Sequence, residues 1–259
     1  MIYNYHTHTK RCNHALGEDR EYVEAAVKAG IKVLGFSDHS PYLFHEDAGN
    51  YYSSFRMRPE LLDGYVSSVE SLRQEFKGQI RLVTGVEIEY YPKSFARTER
   101  FLRDSGVQYM ILGQHFSGEE YEPGTFHAAG HPDATNKELE DYTSLIIECI
   151  ESGKFLYIAH PDIFIFHGDR DFYMQQAERI CAAAKKNNVP LEVNLLGYTE
   201  GRHYPRKDFW EVAGKIGVKT IFGIDAHRPE AILDAANQIN RFKTEYAGLG
   251  IQFADEELI

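Results

Sequence analysis

Residues 1–40 read MIYNYHTHTKRCNHALGEDREYVEAAVKAGIKVLGFSDHS. The stretch opens on Ile2–His6, a short β-type run suited to a strand. Glu18–Ala29 then follows a helical pattern and stops at Gly30, a residue that closes helices because it enters the left-handed region without steric cost. Lys32–Ser37 is a second apolar run. Strand, helix and strand in this order predict a βαβ unit with parallel strands. Both strands end in the same kind of chemistry: His6-Thr7-His8 after the first, Asp38-His39 after the second.

The pattern repeats outward from there. Further strands are predicted at Ile80–Glu87, Tyr109–Gln114, Phe155–Ala159, Leu191–Leu195 and Thr220–Ile224. Helices are predicted at Pro59–Phe76, where Leu61, Leu62, Tyr65, Val69 and Leu72 recur at helical spacing, and at Asn136–Ser152, Asp171–Asn187, Arg206–Ile216 and Pro229–Phe242. Ser94–Asp104 is a weaker helix. A sevenfold βα alternation implies an α/β fold: a closed or nearly closed barrel related to the eightfold type, or an open doubly wound sheet. No linker, repeat or low-complexity segment divides the chain, so residues 1–259 are expected to form one domain. The acidic tail, Gly248–Ile259, reads as an added strand or a frayed end.

Composition narrows the function. The 259 residues are 43% hydrophobic and 26% charged, ordinary for a globular chain. No stretch has the roughly 20 apolar residues that span a bilayer, and the first residues carry no apolar signal region. The three cysteines, Cys12, Cys149 and Cys181, are too scattered for a disulfide framework, which suits a reducing cytoplasm. A formal net charge of −11 argues against a nucleic-acid partner, which would need a basic face.

Histidines and carboxylates fall where a barrel would use them. Glu87 and Glu89 lie at the end of the third predicted strand, Gln114-His115 at the fourth, His160-Pro161 at the fifth and Asp225-Ala226-His227 at the seventh. The C-terminal strand ends of an α/β barrel share one face, and active sites sit there. Period 2 along a strand lets His6 and His8 point together, as it does Asp225 and His227. Imidazole with carboxylate suits Zn, Mn or Fe, and a carboxylate such as Glu87 can bridge two ions. A lone strand-end histidine is usually structural; the recurrence at six of seven strands is what points to metal. His45, His127, His131, His167 and His203 fall in predicted loops and read as solvated, His203 with a possible place near the site beside Arg202. GxGxxG after the first strand, a P-loop, GxSxG and CxxC are all absent.

At these residues the chain resembles the PHP (polymerase and histidinol phosphatase) superfamily. The pieces are His6-Thr7-His8-Thr9, Cys12-Asn13-His14-Ala15, Ser37-Asp38-His39, Gly85-Val86-Glu87, His115, Ala159-His160-Pro161 and Gly223-Ile224-Asp225-Ala226-His227. The HxHTxxCxHA spacing, and Asn194 with Arg202 and Tyr204-Pro205, are most similar to the histidinol-phosphate phosphatase branch. The resemblance implies a distorted (β/α)7 TIM-like barrel holding up to three divalent ions. It implies His6, His8, Glu87 and Asp225 for the first ion. The second would share Glu87 and add His115 and His160; the third would take His14, His39 and His227. His14 enters only through the resemblance.

The implied reaction is hydrolysis of a small-molecule phosphate monoester, foremost L-histidinol phosphate, by a metal-activated hydroxide. Glu87, Asp225, His227 and Arg202 are the expected catalytic residues, with Arg202 and Asn194 contacting substrate. Asp38, of opposite strand parity to His39, is expected to orient an imidazole. The alternatives are another phosphomonoester, a phosphodiester or a phosphotyrosine substrate, or a metal-binding regulatory domain without turnover. No membrane partner is expected.

Overall fold

Seven strands and eight α-helices run along the residues described by the computed structural model, which are 2–254 and 256–259. In chain order they are β1 (Tyr3–Asn4), α1 (Asp19–Lys28), β2 (Val33–His39), α2 (Leu62–Glu75), β3 (Arg81–Ile88), α3 (Phe95–Asp104), β4 (Tyr109–Leu112), α4 (Asn136–Ser152), α5 (Arg170–Asn187), β5 (Leu191–Asn194), α6 (Leu195–Thr199), α7 (Lys207–Ile216), β6 (Lys219–Gly223), α8 (Pro229–Glu245) and β7 (Gln252–Phe253). The chain divides into two compact units. One holds the residues up to Ile111 with Gly223–Asn237 and the last few residues; the other holds Leu112–Phe222 and Gln238–Ala254.

In the first unit the strands follow the order β1-β2-β3-β4, and β2 pairs in parallel with both β1 and β3. The register sets His39 beside Glu87. β2 is buried along its whole length, as a strand covered on both faces must be. Tyr109 explains two glycines in the sheet. Its hydroxyl lies 2.9 Å from the Tyr5 carbonyl oxygen and 3.0 Å from that of Phe36. A Cβ on Gly35 or Gly85 would come within 2.3 Å of the ring or its hydroxyl, so neither position has room for a side chain.

Helix ends follow from local chemistry. Glu18 and Glu21 form a reciprocal capping box on α1, and Thr135 and Glu138 do the same on α4, which stops at Gly153 in the left-handed region. In the second unit β5, β6 and β7 form a sheet in that order, α4 packs on α5, and α5 packs on α7. Trp210 of α7 is fully buried, its indole N–H donating to Asp162 at 3.0 Å.

Two elements differ from the sequence reading, and the tail takes one of its two alternatives. Phe155–Ala159 forms no ladder: Ile158 alone bridges Leu112 on one side and Leu191 on the other. Pro161 follows closely and cannot donate to a further pair. The short helix α6 starts at Leu195, the last residue of a predicted strand, because Asn194 caps it, accepting from the Gly197 amide at 2.8 Å. The tail supplies the short strand β7, paired in parallel with β6. Ser94–Asp104, weak as a sequence pattern, is helical from Phe95.

Candidate metal centre

In the first unit seven of the predicted residues converge: His6, His8, His14, His39, Glu87, Asp225 and His227. Backbone bonds at the strand ends set the frame. His8 donates its amide to the Ala226 carbonyl at 2.9 Å, and Ser40 donates to the Glu87 carbonyl at 2.7 Å. Glu87 sits at the centre. Its Oε1 lies 3.5 Å from His6 Nε2, and its Oε2 lies 3.5 Å from His8 Nε2 and 3.1 Å from His39 Nδ1. Asp225 Oδ1 is 3.0 Å from His8 Nε2, 3.5 Å from His6 Nε2 and 3.3 Å from His227 Nδ1. His6, His8, His39, Glu87 and Asp225 are all buried.

The remaining imidazoles lie alongside. His8 stacks on His227 at 4.1 Å between ring centroids, and His14 lies 5.0 Å from His39 and 4.9 Å from His227. His14 Nδ1 is 2.8 Å from the Cys12 carbonyl and His227 Nδ1 is 3.0 Å from that of Asp225. A carbonyl only accepts, so each Nδ1 carries the proton and each Nε2 keeps its lone pair. Burial and the neighbouring His8 keep both rings neutral; the His227 pKa is pushed down to about 3. His14 reaches this place through local geometry: a single 3-10 turn at Lys10–Cys12 ends at Asn13 in the left-handed region.

These donors fit divalent cations. The ligand atoms of His6, His8 and Glu87 lie within 4.8 Å of one another, as do those of His14, His39 and His227 and those of His8, Cys12 and His227. Burying carboxylates is costly unless positive charge accompanies them. Although burial opposes a charged imidazole, Asp225 and Asp38 hold the His8 pKa well above its ordinary value. The cluster thus takes up a proton where a cation would serve. Burial alone would raise the Asp225 pKa, but His6, His8 and His227 hold it well below the carboxylate range. Asp225 is also one of the few non-glycine residues with positive φ, at 54°. Backbone held there costs on the order of 1 kcal/mol and collects at functional sites.

Asp38 and Thr9 stand behind the cluster. Asp38 is fully buried; its Oδ1 accepts from the His39 amide at 2.9 Å and lies 3.5 Å from His8 Nδ1, and Thr9 donates its hydroxyl to Oδ2. Asp38→Asn is therefore expected to weaken metal affinity by about 10–100-fold, the usual cost of losing an outer-shell partner. Calorimetric titration of the metal-stripped chain measures it, and unaltered affinity would return Asp38 to packing alone.

The second unit holds the other predicted residues. His115 and His160 are buried with ring centroids 4.8 Å apart. His160, like Asp225, has a positive φ, at 30°. Glu192, fully buried on β5, accepts from the His160 amide at 3.4 Å and from the Asn194 side chain at 2.9 Å. Asn194 is buried too, and its oxygen caps α6. Arg202 is 42% exposed; its Nε and Nη2 grip Glu200 at 2.9 and 2.6 Å, and its Nη1 donates to the Tyr204 hydroxyl at 2.7 Å. A ligand seeking that guanidinium fork meets Glu200 there first. His203, read as solvated, is half-buried with Nε2 donating to the Ile163 carbonyl at 2.7 Å. His127 lies 5.9 Å from His115 and caps a 3-10 turn.

Sequence reasoning gave Thr9 no role beyond its place in the HxHT motif, and did not single out Glu192 or the side chains packed against the imidazoles, Phe55 foremost. A fully polar side chain inside an apolar strand run, such as Glu192 within Leu191–Leu195, is the one signal that was available.

A model of the PHP domain matches residues 4–195, well over half of the chain. The chain belongs to the PHP domain family. Its relatives include a Deinococcus radiodurans protein named "Probable histidinol-phosphatase", 29% identical over 227 residues that make up 86% of this chain and 85% of the other. Among solved structures it is similar to histidinol phosphate phosphatase from Lactococcus lactis, solved with zinc, L-histidinol and phosphate, at a TM-score of 0.68 and 17% identity over 97% of this chain and 95% of that one. A candidate histidinol phosphatase from Listeria monocytogenes gives a TM-score of 0.73 at 19% identity over 94% and 99%. These likenesses carry the fold class: the α/β, distorted (β/α)7 barrel type of the PHP family.

Proposed function

We propose that this PHP-family chain is a metal-dependent phosphatase that hydrolyses L-histidinol phosphate to L-histidinol and phosphate. The observation that carries the chemistry is the convergence of Glu87 and Asp225 on the imidazoles of His6, His8, His39 and His227. The choice of substrate rests on those relatives that are named histidinol-phosphatase, the Deinococcus radiodurans protein among them; others are named only as probable phosphatases. The whole chain, 1–259, acts as one phosphoesterase domain on a small-molecule ester in the cytoplasm. Among the described residues no helix is long and apolar enough to cross a membrane.

Three divalent ions, drawn from Zn, Mn and Fe, are held. His6, His8, Glu87 and Asp225 take the first; His14, His39 and His227 take another. His115 and His160 serve the remaining one, and Glu87 as their shared carboxylate rests on the sequence pattern alone. Bound there, the ions supply a water acidified for attack and positive charge for the phosphoryl oxygens. The protein's own part is placement. Cys12 and Asp225 carbonyls fix the His14 and His227 rings, and burial keeps them neutral and ready to ligate. Asp38 orients His8. Arg202, exchanging Glu200 for the substrate, and Asn194 contact the ester.

Initial rates on L-histidinol phosphate, p-nitrophenyl phosphate and a thymidine diester, each with the Zn, Mn and Fe forms, test the reading. L-histidinol phosphate should lead in kcat/KM by at least ~100-fold, since a site built for a polar leaving group rejects analogues lacking it. Equal slow rates on all three would favour a general phosphoesterase, and absence of turnover with metal bound would favour a regulatory domain.

A further inference from the structure

The segment 54–57, in the loop between β2 and α2, lies against His14 and His39, and an ion pair holds it there. The Phe55 ring is 4.4 Å from His39 and stacks on His14 at 5.4 Å. Asn13, next to His14, donates its side-chain amide to the Ser54 carbonyl at 3.1 Å and the Arg56 carbonyl at 3.3 Å. Met57 donates its amide to the His39 carbonyl at 3.2 Å. The segment is thus bonded to the backbones that carry both imidazoles.

Arg56 is the anchor. It is among the largest fully buried side chains, and its Nη1 meets Glu89 Oε2 at 2.8 Å and the Ser40 carbonyl at 3.2 Å. Ser40 follows His39, and Glu89 lies two residues beyond Glu87, so the guanidinium ties together the chain ends that leave two expected ligands. Its charge also lies 5.5 Å from the centre of the Tyr42 ring and 5.9 Å from that of Phe55. A buried ion pair adds little to stability over an apolar pair of equal volume. Stability alone therefore gives no reason for this pair, and its place beside the cluster does.

We propose that Arg56 and Glu89 are positioning residues, which seat Phe55 on His14 and His39 and so fix the two rings for the cation shared with His227. The inference rests on assigning a cation to His14, His39 and His227. The pair acts through Phe55 and the strand ends, not on the substrate. It also matches the Glu89 carboxylate to a guanidinium, so that this second buried acid beyond Glu87 does not join the ligand set.

Cobalt titration of the metal-stripped full chain, read by the visible absorption of the bound ion, tests this. His14→Ala should lose one equivalent. Phe55→Leu, which leaves the ion pair intact, should weaken that same equivalent by about 10-fold or more and leave the others within about 2-fold. Arg56→Met/Glu89→Leu, which keeps volume and strands no charge, should do the same, with Arg56→Lys intermediate. If His14→Ala binds as much cobalt as the parent, the cation assignment itself fails. If His14→Ala loses an equivalent while Phe55→Leu binds all of them at parent affinity, only the positioning role is overturned. Weakening of all equivalents alike by the double variant would also overturn it, by revealing a general structural role; should that variant not fold, Phe55→Leu decides.

Discussion

Glu87→Ala is expected to abolish turnover while leaving the chain folded. One carboxylate meets three imidazoles from two places in the sequence, at 3.5 Å from His6, 3.5 Å from His8 and 3.1 Å from His39. Removing it takes away an expected ligand and the negative charge that would draw cations to this point. The loss of kcat/KM should exceed the ~100-fold ceiling for losing an outer-shell partner. Folding should survive because the substitution removes a buried charge whose desolvation opposes folding. Glu87→Gln separates the two effects, since it keeps the shape and loses the charge. The measurement is kcat/KM beside the circular dichroism spectrum of each variant. A folded Glu87→Ala enzyme keeping a tenth or more of the parent activity would contradict the central role of this carboxylate.

Metal removal is expected to be the other large effect, on stability as well as rate. A ligand that binds only the folded state at 1,000 times its Kd stabilises it by about 4 kcal/mol. For a chain of this size each kcal/mol moves Tm by roughly 2–4 °C. Full chelation should therefore lower Tm by roughly 8–16 °C for each tightly held ion. The physical reason lies in the cluster. Stripped of cations, Glu87 and Asp225 remain buried with imidazoles such as His6 and His8 standing in for the metal charge, against the cost of burial. Calorimetry of the chelated and reloaded protein, with metal content measured on the same samples, gives the answer. An unchanged Tm after verified metal loss would show that the buried carboxylates are satisfied without cations, and the metal assignment would fall with it.

Much of the candidate site was legible before any coordinates because most of the residues that converge there obey local rules. The two-residue period of a strand predicts that His6 points with His8 and Asp225 with His227; both pairs do converge, although they lie past the ends of β1 and β6 and Asp225 has a φ of 54°. His39 and Glu87 each stand at the end of an apolar run, and parallel strands bring such ends to one edge. The same locality explains the helices, whose starts and stops lie in caps such as Thr135 with Glu138 and in Gly153. His14 was legible only through its motif. It lies off any strand, and its approach depends on a 3-10 turn and on Asn13 in the left-handed region.

What the chain's sequence determined unaided was the alternation of strand and helix, and the placing of imidazole and carboxylate at the strand ends. Both are encoded in residues a few positions apart. Only the tertiary structure decided which side chains stand behind those ligands: Thr9 on Asp38, Phe55 on His39, Arg56 on Glu89, Glu192 beneath His160. It also decided that Arg202 grips Glu200, and that Asp225 and His160 adopt positive φ. Most of these contacts join residues about 30 positions apart, and the backbone angles are imposed by their surroundings. No period or cap announces them, because their energy is gained only after the chain has closed around them.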